Sequence, residues 1–407
     1  MFFTDCIFSE QKEITCHLEG TVIGRDSNGI VLLKATDDIR FSGISIPIND
    51  GKFEYELKLP ETEAYFLAFK EEVERGAYDP ILFFPEDKEV RFKLYSSDEF
   101  TKNTVVGGKL NKEPENYNLE YEKTFMPRLE PLYESINMLR ENDEYYTDSA
   151  KIIRKKLSDV KDMNERYELL EKRKKFQKKD GDKTPEAIAI NNQKEAIMEE
   201  AIQWRYEYIN KNRSLLYYYF LLKDLMGIKY NNVSIVNIYE NYTPLSETYP
   251  NILYSAIMQN LLEAVANIQV GENYIDFTAP NLDGDLIKLS DVIKEKVAII
   301  DLWASWCGPC IAKSRTMIPV FEDFHDKGFT IIGVAREFEN TEKLEKRLAI
   351  ENYPWLNLIE LDDQNAIWQK YGIPNGGGTI FLADKNGKNL AINPTADKVR
   401  EKLGKLL

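Results

Sequence analysis

Asp301-Leu302-Trp303-Ala304-Ser305-Trp306-Cys307-Gly308-Pro309-Cys310 closes an apolar run that opens at Val297. Val297 to Trp303 has the length and character of a buried strand. The Cys-x-x-Cys that follows therefore stands at a strand-to-helix junction. Free backbone N–H groups and the helix dipole gather at such a place, and both stabilise a thiolate. Cys307 is the expected nucleophile. Cys310, within one helical turn, can reach the same sulfur and close a small disulfide. Pro309 suits the first helical turn, where a missing N–H is not felt.

Two other readings of the pair are half of a zinc site and an inert core pair. A zinc site needs four ligands, and the remaining Cys6, Cys16 and His17 sit far away at unsuitable spacing, so no metal is expected. Four cysteines also exclude a multi-disulfide scaffold. Redox chemistry is the favoured reading, and it needs no cofactor beyond the two thiols.

Outward from the motif, residues 268–407 alternate strands and helices. After the motif helix come a strand at Phe329–Val334, a helix opened by Thr341, strands near Trp355–Leu361 and Thr379–Ala383, a Lys385-Asn386-Gly387 turn and a terminal helix. That order predicts a sheet with parallel pairs covered by helices. Residues 113–267 read as helical. Ile153, Leu157, Val160, Met163, Tyr167 and Leu170 form one amphipathic stripe, Thr184-Pro185 opens a long helix towards Ile209, and another runs from Ser214 to Met226, stopped by Gly227. The Tyr217–Phe220 cluster covers more than one helix face and is read as burial against a neighbouring domain. The charged stretch Glu171–Lys183 is read as solvated. Residues 1–112 read as an antiparallel β-sandwich: Ile14, Cys16 and Leu18 alternate, as do Phe53, Tyr55, Leu57 and Leu59, and Asn49-Asp50-Gly51 signals a hairpin. Nothing in this part looks catalytic. The fold class is thus multidomain: β-sandwich, helical middle region, α/β domain.

The 407 residues carry 53 Lys plus Arg against 68 Asp plus Glu, a formal charge of −15, which argues against nucleic acid as a general partner. The longest apolar run, Leu215–Leu222, falls far short of the roughly 20 residues of a transmembrane helix. Met1–Glu10 lacks the basic and apolar regions of a secretory signal, and Thr4-Asp5 is a poor processing context for a lipid-bearing Cys6.

The block from Tyr274 to Leu407 resembles the thioredoxin superfamily, in particular the TlpA/ResA-like thiol-disulfide oxidoreductases of bacterial envelopes. Phe277-Thr278-Ala279-Pro280, Asp283-Gly284, Leu289-Ser290, the WASWCGPC block and Phe381-Leu382-Ala383-Asp384 with Asn386-Gly387 carry the likeness. The resemblance implies a thioredoxin-like fold, protein disulfide substrates, an unidentified electron donor and an envelope, periplasmic location. It makes Asp301 the buried base that helps deprotonate Cys310, with a partly exposed strand-end carboxylate as the other reading, and Trp306 the indole beside the nucleophile. Gly308-Pro309 is the dipeptide of thioredoxin, a reductant at about −270 mV. Two departures stand out. The family's cis-proline before the strand opposite the active site maps to Gly378, within Gly376-Gly377-Gly378, so Gly377, Gly378 and Thr379 become the expected substrate-binding loop; Pro374 is too early to replace that proline. Lys313 stands where many relatives carry a glutamate, and Pro319 displaces the usual helix-kink proline. The sandwich resembles the β-domain that often precedes such domains, on Gly20, Asn49–Phe53 and Val106-Gly107-Gly108. Cys6 and Cys16 could pair in an oxidising compartment. Reduction of protein disulfides is the expected activity. Alternatives are a peroxiredoxin-type peroxidase, against which Ala304 stands where a threonine or serine is expected, and an adaptor with a vestigial redox domain.

Overall fold

The computed structural model describes residues 13–86, 88–228, 233–373 and 376–407, with backbone alone at 163–164. Cys6, the segment Met1–Glu10 and Pro374 lie outside the described residues.

Alternating side chains build the N-terminal part. Strands β1 (Ile14–Ile23), β2 (Gly29–Lys34), β3 (Ile44–Pro47), β4 (Lys52–Leu59), β5 (Tyr65–Phe69), β6 (Ile81–Phe83), β7 (Glu89–Tyr95) and β8 (Thr104–Val106) form two four-stranded sheets. Their orders are β4-β1-β7-β8 and β3-β2-β5-β6. Cys16, Leu18 and Val22 from one sheet meet Ile30, Leu32 and Leu67 from the other in one core. Each such side chain removed from water contributes roughly 1.5–3 kcal/mol. The expected antiparallel sandwich needs one correction: β1 and β7 run parallel, because the chain crosses between sheets before returning beside its first strand. The Asn49-Asp50-Gly51 turn forms with φ of 51° at Asp50 and 71° at Gly51, the left-handed pair that a tight hairpin turn requires. It carries the chain from one sheet to the other, since β3 and β4 belong to different sheets.

A short helix, α1 (Lys70–Arg75), follows β5. The middle of the chain is helical: α2 (Glu113–Glu141), α3 (Asp148–Asp159), α4 (Met163–Gln177), α5 (Pro185–Lys211), α6 (Leu215–Met226), α7 (Ile235–Thr248) and α8 (Leu253–Asn267). The single stripe from Ile153 to Leu170 is in fact two helices. Val160 takes extended φ/ψ, and the Asp162 carboxylate accepts from Glu165 N at 2.9 Å, which opens the second one. The tyrosine cluster of α6 is buried and reaches the sandwich, with Tyr219 edge-on to Phe66. Ala64 N donates to Tyr254 Oη at 2.6 Å.

The last part contains β9 (Thr278–Pro280), β10 (Leu286–Lys288), α9 (Leu289–Ile293), β11 (Val297–Trp303), α10 (Gly308–Phe324), β12 (Phe329–Glu337), α11 (Glu342–Glu351), β13 (Leu356–Leu361), α12 (Ile367–Lys370), β14 (Ile380–Ala383), β15 (Asn389–Ile392) and α13 (Ala396–Leu406). A five-stranded sheet runs β13-β12-β11-β14-β15, with β12 parallel and β14 antiparallel to the central β11. All seven β11 residues are buried, as expected of a strand covered on both faces. Ala298, Ile300 and Leu302 pack on one side; Val297 and Ile299 face Met317 and Val320 of α10 on the other. Asp301, in phase with Val297 and Ile299, therefore points at α10.

Candidate active site

Cys307 is the N-cap of α10, and its sulfur accepts from Cys310 N at 3.3 Å. Its carbonyl starts the helix by accepting from Ile311 N at 3.0 Å. The two sulfurs are bonded to each other at 1.96 Å. Strand, turn and helix thus put Cys307 Sγ at the positive end of the dipole, on an N–H that would otherwise lack a partner. Gly308 and Pro309 occupy the first turn and are exposed, while Cys307 is only 9% exposed.

Asp301 is 2% exposed, so the buried-carboxylate reading holds over the strand-end one. Burial pushes its carboxyl up to about 7, against the opposing pull of a hydrogen bond from Ser314 and the charge of Lys313. Ser314 Oγ donates to Asp301 Oδ2 at 2.6 Å and lies 3.1 Å from the Cys310 carbonyl oxygen. The Lys313 ammonium bonds Asn393 Oδ1, and burial lowers its pKa. Ser314 escaped sequence reading. Its position one turn after Cys310, on the helix face that meets β11, was the available signal.

The Gly376–Thr379 loop closes over the sulfurs. A Cβ on Gly377 would lie 2.2 Å from Cys307 Sγ and 2.9 Å from Cys310 Sγ, so only glycine lets the backbone approach this closely. Gly378 has φ +129°, and a Cβ there would come within 1.9 Å of Leu302 O. A proline, with φ fixed near −65°, does not fit that conformation. The loop is held at both ends: Trp368 Nε1 donates to Gly376 O at 3.1 Å, and Leu302 N donates to Thr379 O at 3.0 Å.

Glu337 and Ser305 form a second pairing that sequence reading missed. Strand β12 continues past Val334 to Glu337, which is 2% exposed. Its carboxylate accepts from Ser305 N at 2.8 Å and Ser305 Oγ at 2.7 Å, fixing the turn before the cysteines. Burial raises the Glu337 pKa against those two bonds.

Trp303 is core, as expected, with its Nε1 on Asn357 Oδ1 at 3.1 Å. Trp306 is covered from outside its own domain. Phe41, in the loop between β2 and β3, lies 4.8 Å from the Trp306 ring and stacks on Phe338 at 4.5 Å. The Arg40 guanidinium sits 4.6 Å above the same indole and pairs with Asp38. The N-terminal part, in which nothing looks catalytic, thus reaches the indole next to Cys307 in sequence. No group of side chains able to hold a metal occurs among the described residues.

The last third of the chain is a thioredoxin-like α/β domain with a Cys-x-x-Cys disulfide at the N-terminus of its first long helix. Residues 270–389 match the AhpC/TSA family, and residues 16–113 match a domain of unknown function, DUF4369. The thiol-disulfide oxidoreductase ResA of Geobacillus thermodenitrificans is 28% identical over 134 residues, covering 32% of this chain and 73% of that protein. ResA of Bacillus cereus is 27% identical over 154 residues, covering 37% and 86%. Among solved structures, the thioredoxin domain of a thiol-disulfide oxidoreductase from Bacteroides vulgatus shares 27% identity at a TM-score of 0.31, over 34% of this chain and 96% of that one. No described helix is long and apolar enough to cross a membrane.

Proposed function

We propose that this chain is a thiol-disulfide oxidoreductase that reduces protein disulfides in the bacterial cell envelope. Cys307 thiolate attacks one sulfur of a substrate disulfide, forming a mixed disulfide and releasing the other substrate sulfur as a thiolate. Cys310 gives its proton to Asp301, directly or through Ser314, and its thiolate attacks Cys307 Sγ. The second substrate thiolate leaves, the Cys307–Cys310 disulfide forms, and two electrons have passed to the substrate. An external dithiol donor then restores the reduced pair. Trp306 shields the mixed disulfide, Gly308 and Pro309 shape the turn, and Gly377, Gly378 and Thr379 present backbone to the substrate. The envelope location follows from the resemblance to envelope oxidoreductases and suits disulfide chemistry.

The observation that carries this reading is the bonded Cys307–Cys310 pair capping α10, with Cys310 N on Cys307 Sγ. Insulin reduction coupled to dithiothreitol tests it. Wild type should be faster than Cys307→Ser and Cys310→Ser; equal rates favour an adaptor, and fast Cys307-dependent peroxide consumption favours a peroxidase.

A further inference from the structure

The sandwich and the helical region do more than flank the redox domain. Between the three parts lies a cleft of about 1320 Å³. Ala35 and Phe66 of the sandwich form one wall, Leu261 and Val265 of α8 another, and Gly376, Gly378 and Thr379 a third. Gly377, between two of those glycines, is the residue packed on both sulfurs. The cleft therefore runs along the loop that covers the disulfide. The same β2–β3 loop lines the cleft with Asp37 and Ile39 and covers Trp306 with Phe41 and Arg40.

We propose that this cleft is the substrate channel of the redox site, and that its occupant is an extended, apolar segment of the polypeptide that carries the disulfide. The inference rests on the thiol-disulfide reading above and deepens it, giving the domain of unknown function a role in specificity. Size chooses the occupant. Small-molecule sites run to about 300–1,000 Å³, and this space exceeds them. Character agrees. The walls are chiefly aliphatic and aromatic; of the three charged residues among them, Asp37, Lys223 and Asp224, the Asp224 carboxylate is already engaged by Arg205 at 3.1 Å and Tyr206 Oη at 3.0 Å. A chain segment there gains by burying apolar side chains against these walls, beside the Gly376–Thr379 loop.

The test uses the full-length protein with Ala35→Trp on the sandwich wall and Val265→Trp on the α8 wall, each checked for folding by circular dichroism. Two disulfides are compared: insulin, and 2-hydroxyethyl disulfide, which is too small to need the cleft. A fluorescein-labelled apolar decapeptide, with serine at its single cysteine position, reports binding without turnover. Either folded variant should weaken decapeptide binding about tenfold and lower insulin kcat/KM about tenfold through KM, with 2-hydroxyethyl disulfide changed less than about twofold. Unchanged peptide binding and insulin kinetics would overturn the channel, as would an equal loss on both disulfides. Peptide binding that responds to the variants in a protein that reduces neither disulfide supports the cleft while sinking the redox reading.

Discussion

Ser314 Oγ lies 2.6 Å from Asp301 Oδ2 and 3.1 Å from the carbonyl oxygen of Cys310, so one buried hydroxyl links the interior carboxylate to the helix turn that bears the second cysteine. A carboxylate in that position is costly to ionise, and its cost can be measured.

Burial holds the Asp301 carboxyl at about 7, above its ordinary 3.8. Between those values the native state keeps a proton that the unfolded chain has lost. This contribution to stability is full below about 3.8 and disappears as pH rises through about 7. Asp301→Asn removes the slope. Its urea-derived stability relative to wild type should rise on the order of 4 kcal/mol from acid to mildly alkaline pH, while resolution of a mixed disulfide slows. A difference that stays flat with pH would contradict the assignment.

Ser314→Ala deletes a donor that favours the ionised form of Asp301. The pH at which resolution accelerates should move up by about one unit, in stopped-flow measurements of mixed-disulfide decay. A downward shift, or none, would show that the hydroxyl does not act on the carboxylate.

Much of this domain was legible from the chain. A strand-length run with six apolar residues in seven, followed by Cys-x-x-Cys, specifies a buried strand and a helix N-terminus by local rules, and Thr184-Pro185 and Gly227 bound helices for equally local reasons. Asp301 could be placed only through the resemblance, since a strand-end carboxylate reads equally well as partly exposed until α10 covers it. What escaped depends on partners distant in sequence. Glu337 reads as an acidic strand end until Ser305, 32 residues earlier, comes to rest beside it. Phe41 reads as a loop aromatic until the sandwich docks it on Trp306. The stripe from Ile153 to Leu170 misled because periodicity survives the short break at Val160. Helix α2 carries Pro127 and Pro131, residues that argue against a helix interior on local grounds.

Gly377→Ala places a methyl group against both sulfurs. Overpacking there should lower the stability of the oxidised protein by about 1–3 kcal/mol, and that of the reduced protein less, since free sulfurs can separate. Paired urea melts in the two redox states check this. Equal tolerance in both states would mean that the loop yields without touching the disulfide.

Glu337→Ala strands the Ser305 amide in a buried turn, which costs about 1–3 kcal/mol. Because Glu337 positions the turn and does not meet substrate, kcat for insulin should fall with KM little changed, and Glu337→Gln, which keeps an acceptor for Ser305 N, should recover most of the loss. A rise in KM with constant kcat would contradict a positioning role.

Attack on a substrate disulfide requires Cys307 Sγ as a thiolate held at the start of α10. Alkylation of the Cys310→Ser variant by iodoacetamide, followed across pH, reads it directly. At mildly acidic pH, Cys307 should react about tenfold faster than free cysteine, in step with a larger thiolate fraction. A rate and pH profile matching free cysteine would contradict the proposed activity.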